Sequence, residues 1–198
     1  MGTPEHSHPH GHGPDRFSDE ASGWDDKPGH AERAEAVAAL LRQALPLRAD
    51  LTVLEIGGGT GLLSRALAGD IGTATVTDVA PGMVEVAATK LDDPRFEGWS
   101  ARRYDIEHDP LPDERYDLVV ALLALHHMGD IAAVVQRCVD LLAEGGHVAT
   151  STSTTMPTGP STSTWSTSTA TTDSPGTTCG AGSRLRGRAT CASPTAAP

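Results

Sequence analysis

The sequence predicts an α/β fold, a doubly wound and mostly parallel sheet whose carboxy-terminal strands are incomplete. Three observations predict it. Residues 51–68 pass from a short apolar, β-branched stretch (Leu51-Thr52-Val53-Leu54) through a glycine turn into a helical pattern of Leu62, Leu63, Ala66 and Leu67. Residues 74–78 read as a second strand ending in Asp78, about 20 residues past the glycines, where a nucleotide-binding α/β unit places its ribose-binding acid. Residues 116–125, YDLVVALLAL, are a continuous apolar run, as expected of a strand buried on both faces of a parallel sheet.

The elements follow in order. Residues 1–15 are a leader in which His6, His8, His10 and His12 alternate with Ser, Gly and Pro. Its prolines and glycines prevent a rigid ligand geometry, so it reads as disordered and no resident metal is predicted; a metal-handling tail is the alternative. Residues 16–26, RFSDEASGWDD, bring Phe17 and Trp24 together with acids. Residues 30–45 predict an amphipathic helix, with Ala34, Val37, Ala38, Leu41 and Leu45 at intervals of three and four, ended by Pro46.

Gly69-Asp70 and Gly72 mark a turn before the second strand. Pro81 suits the first turn of a helix over 83–91. A third strand is expected near 100–104, ending at Asp105-Ile106. The apolar run 116–125 is the fourth, ending at His126-His127-Met128. A helix over 131–143 turns Ile131, Val134, Val135, Cys138, Leu141 and Leu142 inward, and Glu144-Gly145-Gly146 ends it before a fifth strand at 147–149.

The glycine turn carries the chemistry. Glycines allow positive φ and let a ligand lie against the backbone, and a following helix offers its free N–H groups to an anion. Spacing decides which ligand. A dinucleotide fingerprint starting at Gly57 requires glycine at 62, where Leu62 stands; starting at Gly58 it requires one at 60, where Thr60 stands. That disfavours a nicotinamide-dependent oxidoreductase. The sequence reads instead Glu55, Gly57, Gly59, Gly61, with Gly58 between.

This pattern resembles the first motif of class I S-adenosylmethionine-dependent methyltransferases, and the resemblance covers about residues 17–149. It implies a Rossmann-like methyltransferase sheet and S-adenosyl-L-methionine as cofactor. It implies that Asp78, followed by Val79, holds the ribose, that Met83 packs near the adenine, and that Asp105 with Ile106 receives the adenine amino group, Asp109 being the competitor. The turn would take the methionine part, and Glu55 would orient the turn or the amino group. Ala121 falls in the strand that closes the pocket. Phe17 and Trp24 resemble a segment that lids the cofactor in this family; the alternative is that Trp24 only staples the leader to the domain. His126 or His127 could serve as a general base or simply line the wall, and no catalytic residue is assigned.

The chain has 198 residues, a net charge of −11 and a pI of about 5.1. One domain is expected, over 16–149. Such acidity disfavours non-specific nucleic-acid binding, which needs clustered Lys and Arg. No apolar run reaches membrane-spanning length and the leader lacks a signal-peptide core, so a cytoplasmic protein is expected, its oligomeric state open; the family resemblance implies a small-molecule acceptor. Cys138, Cys179 and Cys191 show no metal or redox spacing.

From residue 150 to 198 roughly half of the residues are Ser or Thr and hydrophobic periodicity ends, the signature of disorder. The family fold needs another helix and a closing antiparallel pair there. The Ser-Thr alternation reads as a frameshift of a GC-rich gene, since GAC-CTC-GAC (Asp-Leu-Asp) becomes ACC-TCG-ACC (Thr-Ser-Thr) one base out. A genuine mucin-like tail is the alternative. A truncated, non-catalytic remnant that at most binds the cofactor is the competing function.

Overall fold

The computed structural model describes residues 14–121, 124–125 and 128–150. The expectations for residues 1–13, for His126 and His127, and for the tail beyond 150 lie outside the described residues. The chain runs α1 (Pro14–Glu20), a 3-10 turn (Ala21–Gly23), α2 (His30–Ala44), β1 (Thr52–Ile56), α3 (Leu62–Ala66), β2 (Thr73–Asp78) and α4 (Pro81–Leu91). A second 3-10 turn (Pro94–Phe96), β3 (Ser100–Arg103), β4 (Tyr116–Ala121), α5 (Ile131–Asp140) and β5 (Leu142–Thr150) complete it.

The strands form one sheet in the order β3-β2-β1-β4-β5, and every neighbouring pair is parallel. Parallel neighbours require crossovers, which are right-handed. Steps from β1 to β2 to β3 therefore place α3 and α4 on one face, and the step from β4 to β5 places α5 on the other. The core shows the two layers. Val53, Leu118 and Val120 pack against Val37 and Leu41 of α2 and Leu63 of α3. Leu54, Ile56 and Val119 point the other way, onto Val134 and Cys138 of α5. Both faces of β1 and β4 are covered, which is why their sequences do not alternate with polar residues. Burial pushes the Cys138 thiol up to about 12, so this cysteine acts as a small hydrophobe.

Three boundaries differ from expectation, each for a pairing reason. β4 stops at Ala121 rather than 125. Its pairing with β1 ends at Glu55↔Val120, because β1 gives way to the glycine turn, and its last partner in β5 is Thr150. α5 stops at Asp140 rather than 143, because Leu142 joins the sheet opposite Tyr116; the chain then bulges through Gly145 at φ 75° before Leu118 meets His147. α4 begins at Pro81, two residues early, because proline already has a helical φ at the first turn.

β1 has β2 on one side and β4 on the other, so the strand order reverses beside it. Ligands of open α/β sheets bind at such a point, outside the carboxyl ends of the strands. No helix among the described residues is long and apolar enough to cross a membrane.

Candidate functional site

A cavity of about 580 Å³ opens at that switch point. Its floor is the turn after β1. Gly57, Gly59 and Gly61 take positive φ of 63°, 57° and 78°. At Gly57 a side chain is also excluded, since a Cβ there would stand 2.4 Å from Cβ of Ala124. Most of the turn's N–H groups are spent internally. Gly58 N–H donates to Thr77 O (2.9 Å), Gly59 N–H to Asp78 Oδ2 (2.9 Å) and Gly61 N–H to Gly58 O (2.9 Å). The helix that follows has only five residues, and its Ser64 N–H donates to Glu55 (3.2 Å). Leu62 and Leu63, which open that helix, line the cavity beside the bare Cα surface of the glycines.

Two carboxylates at neighbouring strand ends do different work. Glu55 of β1 is 5% exposed and accepts from both the N–H and the Oγ–H of Ser64. This contact ties β1 to α3, and Glu55 also lines the cavity. Burial pushes its carboxyl up to about 7, against the pull of the Ser64 hydrogen bonds. Asp78, at the end of β2, accepts from Ala80 N–H at Oδ1 (2.9 Å) and from Gly59 N–H at Oδ2 (2.9 Å). Burial raises its pKa above the ordinary aspartate value, and those backbone hydrogen bonds oppose the rise. Asp78 lines the cavity, and a carboxylate oxygen holding one N–H retains capacity for another donor.

Beyond β3, Asp105 also lines the cavity, its Oδ1 accepting from Glu107 N–H (2.9 Å) and its Oδ2 paired with His108 Nδ1 (2.9 Å). Burial raises the Asp105 carboxyl, but the His108 and backbone hydrogen bonds outweigh it and leave it below the ordinary value. Its competitor Asp109 does not line the cavity; its Oδ2 accepts from the Asp105 N–H (2.8 Å) and so braces Asp105. Glu107 accepts from Gly129 N–H (2.8 Å), joining the loop after β3 to the loop before α5.

The cavity gathers Glu55, Gly57, Gly58, Gly59, Asp78, Val79, Met83, Asp105 and Ile106 from the expected residues. It leaves out two. Gly61 sits behind the turn against Val76. Ala121 is fully buried on the α5 face of the sheet, and Ala124, three residues later, forms the wall instead.

The opposite wall includes residues of α2 that the motifs did not mark. His30, Arg33, Ala34 and Val37 of α2 line the cavity together with Phe17 and Trp24. The four helical residues lie at i, i+3, i+4 and i+7, one stripe of α2. That stripe was visible as an apolar face; the signal left unread is that a histidine and an arginine extend it at its amino-terminal end. Among the described residues the Arg33 guanidinium makes no ion pair, whereas the far end of the cavity is acidic. Burial, with the charges of Arg33 and Lys27, lowers the pKa of His30. Trp24 packs edge-on to His30, ring centroids 4.6 Å apart.

A family model described as a methyltransferase domain matches residues 54–148, which begin in β1 and contain the turn, Asp78 and Asp105. Residues 54–148 are thus a methyltransferase domain, in keeping with the class I S-adenosylmethionine-dependent family that the motifs resemble. Known members of the family match well beyond the motifs. The biotin biosynthesis bifunctional protein of Bordetella avium is 39% identical over 142 residues, 70% of this chain and 28% of that protein. The ubiquinone biosynthesis O-methyltransferase of Xylella fastidiosa is 31% identical over 148 residues, 70% of this chain and 57% of that enzyme. This chain therefore spans little more than half, or less, of these curated relatives. Among solved structures, the N-methyltransferase NodS of Bradyrhizobium japonicum, in complex with S-adenosylhomocysteine, is 25% identical with a TM-score of 0.56, over 68% of this chain and 70% of that one.

Proposed function

We propose that this methyltransferase domain binds S-adenosylmethionine and transfers its methyl group to a small-molecule acceptor. The observation that carries the reading is Asp78. Its carboxylate stands at the end of β2, beside the glycine turn, aimed by two backbone N–H groups and lining the cavity. A second observation tests the fit. A Cβ on Gly59 would lie 3.7 Å from Met83 Sδ and 3.8 Å from Trp24 Nε1, so the missing side chain leaves a cradle between the turn and two cavity-lining residues.

In this reading Asp78 accepts from the ribose hydroxyls and Asp105 from the adenine amino group. Val79, Met83 and Ile106 supply the apolar walls around the base. Gly57, Gly58 and Gly59 carry the methionine part, and Arg33 meets its carboxylate, being the cavity-lining cation free of ion pairs among the described residues. When bound, the cofactor supplies a sulfonium-activated methyl group. The protein's task is then to hold the acceptor in line and to exclude water. Phe17, Trp24, Ala34 and Val37 provide apolar surface for that. The names of the relatives from biotin and ubiquinone biosynthesis support a small acceptor.

The test is calorimetric titration of the full chain with S-adenosylhomocysteine and S-adenosylmethionine, followed by transfer of radiolabelled methyl to a panel of small acids, phenols and amines. Binding in the low micromolar range, weakened about 100-fold by Asp78→Ala, is expected, since two hydrogen bonds to a charged group are lost. Folded protein that binds neither compound would end the proposal.

A further inference from the structure

The aromatic wall of the cavity is not part of the sheet. Phe17 and Trp24 sit on the segment formed by α1 and the following 3-10 turn, which packs against α4. Internally this segment is knotted around Trp24. Phe17 packs on the indole with centroids 5.8 Å apart, and Lys27 Nζ lies 4.2 Å above its ring while pairing with Glu20. Two contacts hold the segment to α4. Ala21 is buried against Ala80 and Met83, and Gly82 donates its N–H to Ser18 Oγ (3.1 Å). The approach at Gly82 is close enough that a Cβ there would stand 2.6 Å from the Ser18 carbonyl oxygen.

The third contact is ionic and lies next to Trp24. Asp25 Oδ1 accepts from Thr60 Oγ1 (2.5 Å), and Thr60 belongs to the glycine turn itself. Asp25 Oδ2 pairs with Arg65 of α3 (2.5 Å) and with Lys90 at the end of α4. One half-buried carboxylate therefore joins the turn, the helix after it and the helix after β2. These partners are 35, 40 and 65 residues away in sequence. Nothing in the cofactor reading above uses Asp25, which does not line the cavity.

We infer that Asp25 is a positioning residue for the cofactor: it clamps Trp24 over the glycine turn, so that the aromatic wall and the turn close on the ligand as one unit. The inference rests on the cofactor reading for its second half only. Without Asp25 the segment keeps its apolar contact with α4 but loses its hold on the turn, so Trp24 is released while the sheet stays intact. The consequence for a bound cofactor falls on dissociation, because the wall that keeps it in is the part that loosens.

The experiment is fluorine NMR on the full chain labelled with 5-fluorotryptophan, with the Trp24 line assigned by Trp24→Phe. Trp99 gives an internal reference for the fold, since its Nε1–H is held by Gly72 O (2.8 Å) at the other end of the sheet. In ligand-free Asp25→Asn, the Trp24 line is expected to shift and its H2O/D2O solvent isotope shift to rise about twofold or more, with the Trp99 line unmoved. S-adenosylhomocysteine is expected to dissociate about tenfold faster from Asp25→Asn, and Asp25→Glu to recover part of that loss. An unmoved Trp24 line, or an unchanged dissociation rate in a variant whose Trp24 line has moved, overturns the inference. Should the Trp99 line of Asp25→Asn also move, Lys90→Met removes one cation from the same carboxylate and carries the same expectation in smaller measure. Should wild-type protein bind no S-adenosylhomocysteine, the cofactor reading fails. The ligand-free Trp24 line still decides whether Asp25 clamps that residue.

Discussion

The two walls of the cavity are built by different means. The wall of strand ends is held largely by backbone N–H groups and by side chains close in sequence. Asp78 is aimed by the N–H groups of Gly59 and Ala80, Asp105 by that of Glu107, and the turn by its own short hydrogen bonds. The wall of α1 and α2 is held by side chains that reach across the fold, with Trp24 on His30, Asp25 on three partners and Arg33 on none among the described residues. A backbone-made wall has one geometry and tolerates little change. A side-chain-made wall can loosen without unfolding the domain, which suits the side from which a ligand enters.

The comparison would break first at Gly57. Gly57→Ala places a Cβ against Ala124 at φ 63°. A loss of about 3 kcal/mol is expected, measured as a fall in urea midpoint together with loss of S-adenosylhomocysteine binding. An unaffected midpoint would mean that the strand wall is as pliant as the other.

Glu55 sharpens the comparison through pH. Its carboxyl titrates near 7 in the folded protein, against an ordinary value of 4.5. Between those values the folded state keeps a proton that the unfolded state has lost. The contribution of Glu55 to stability is therefore greatest below about pH 4.5, falls as pH rises toward 7, and levels off above, by about 3 kcal/mol in all for a shift of this size. Urea unfolding of wild type and Glu55→Gln across pH 4.5 to 8 checks this. The difference between the two should follow that course, and parallel curves would remove Glu55 as its source.

On the side-chain wall, Arg33→Met should weaken S-adenosylhomocysteine about tenfold, the worth of one charged contact. The same change should leave 5′-methylthioadenosine untouched, because that compound has no carboxylate. Equal losses for both compounds would place Arg33 elsewhere in the site. The smallest effect is expected at Asp109. Asp109→Asn keeps an acceptor for the Asp105 N–H, so cofactor affinity should change by less than about twofold. A large loss would move the adenine contact from Asp105 to Asp109.

The same division decides what could be read from the sequence. The strand wall is local. Glu55, the glycines and Asp78 lie within one strand-turn-helix-strand unit, and their spacing carries their geometry. Where reading failed on that side, pairing was the reason. Ala121 belongs to an unbroken apolar run, so its face could not be told from periodicity, and only the end of the β1 register shows that the wall begins at Ala124. The side-chain wall is non-local. The 3.6-residue period of α2 identified Ala34 and Val37 as buried, but nothing in it says that His30 and Arg33 continue that stripe into a ligand cavity. Asp25 stood among several acids with no mark to separate it, because its partners lie up to 65 residues ahead.

The central strand also bears on how the chain is made. β1 meets β2 soon after it leaves the ribosome, but its other edge waits for β4. The contact that closes that edge, Asp117 Oδ2 accepting from Thr52 N–H and Oγ1–H (both 2.8 Å), spans 65 residues. At ordinary elongation rates of about 5–20 residues per second, that span takes roughly 3–13 seconds to synthesise. For that interval the nascent chain presents an open, apolar strand edge to its surroundings. The strand that leads into the glycine turn thus has one edge without its partner until β4 has been made.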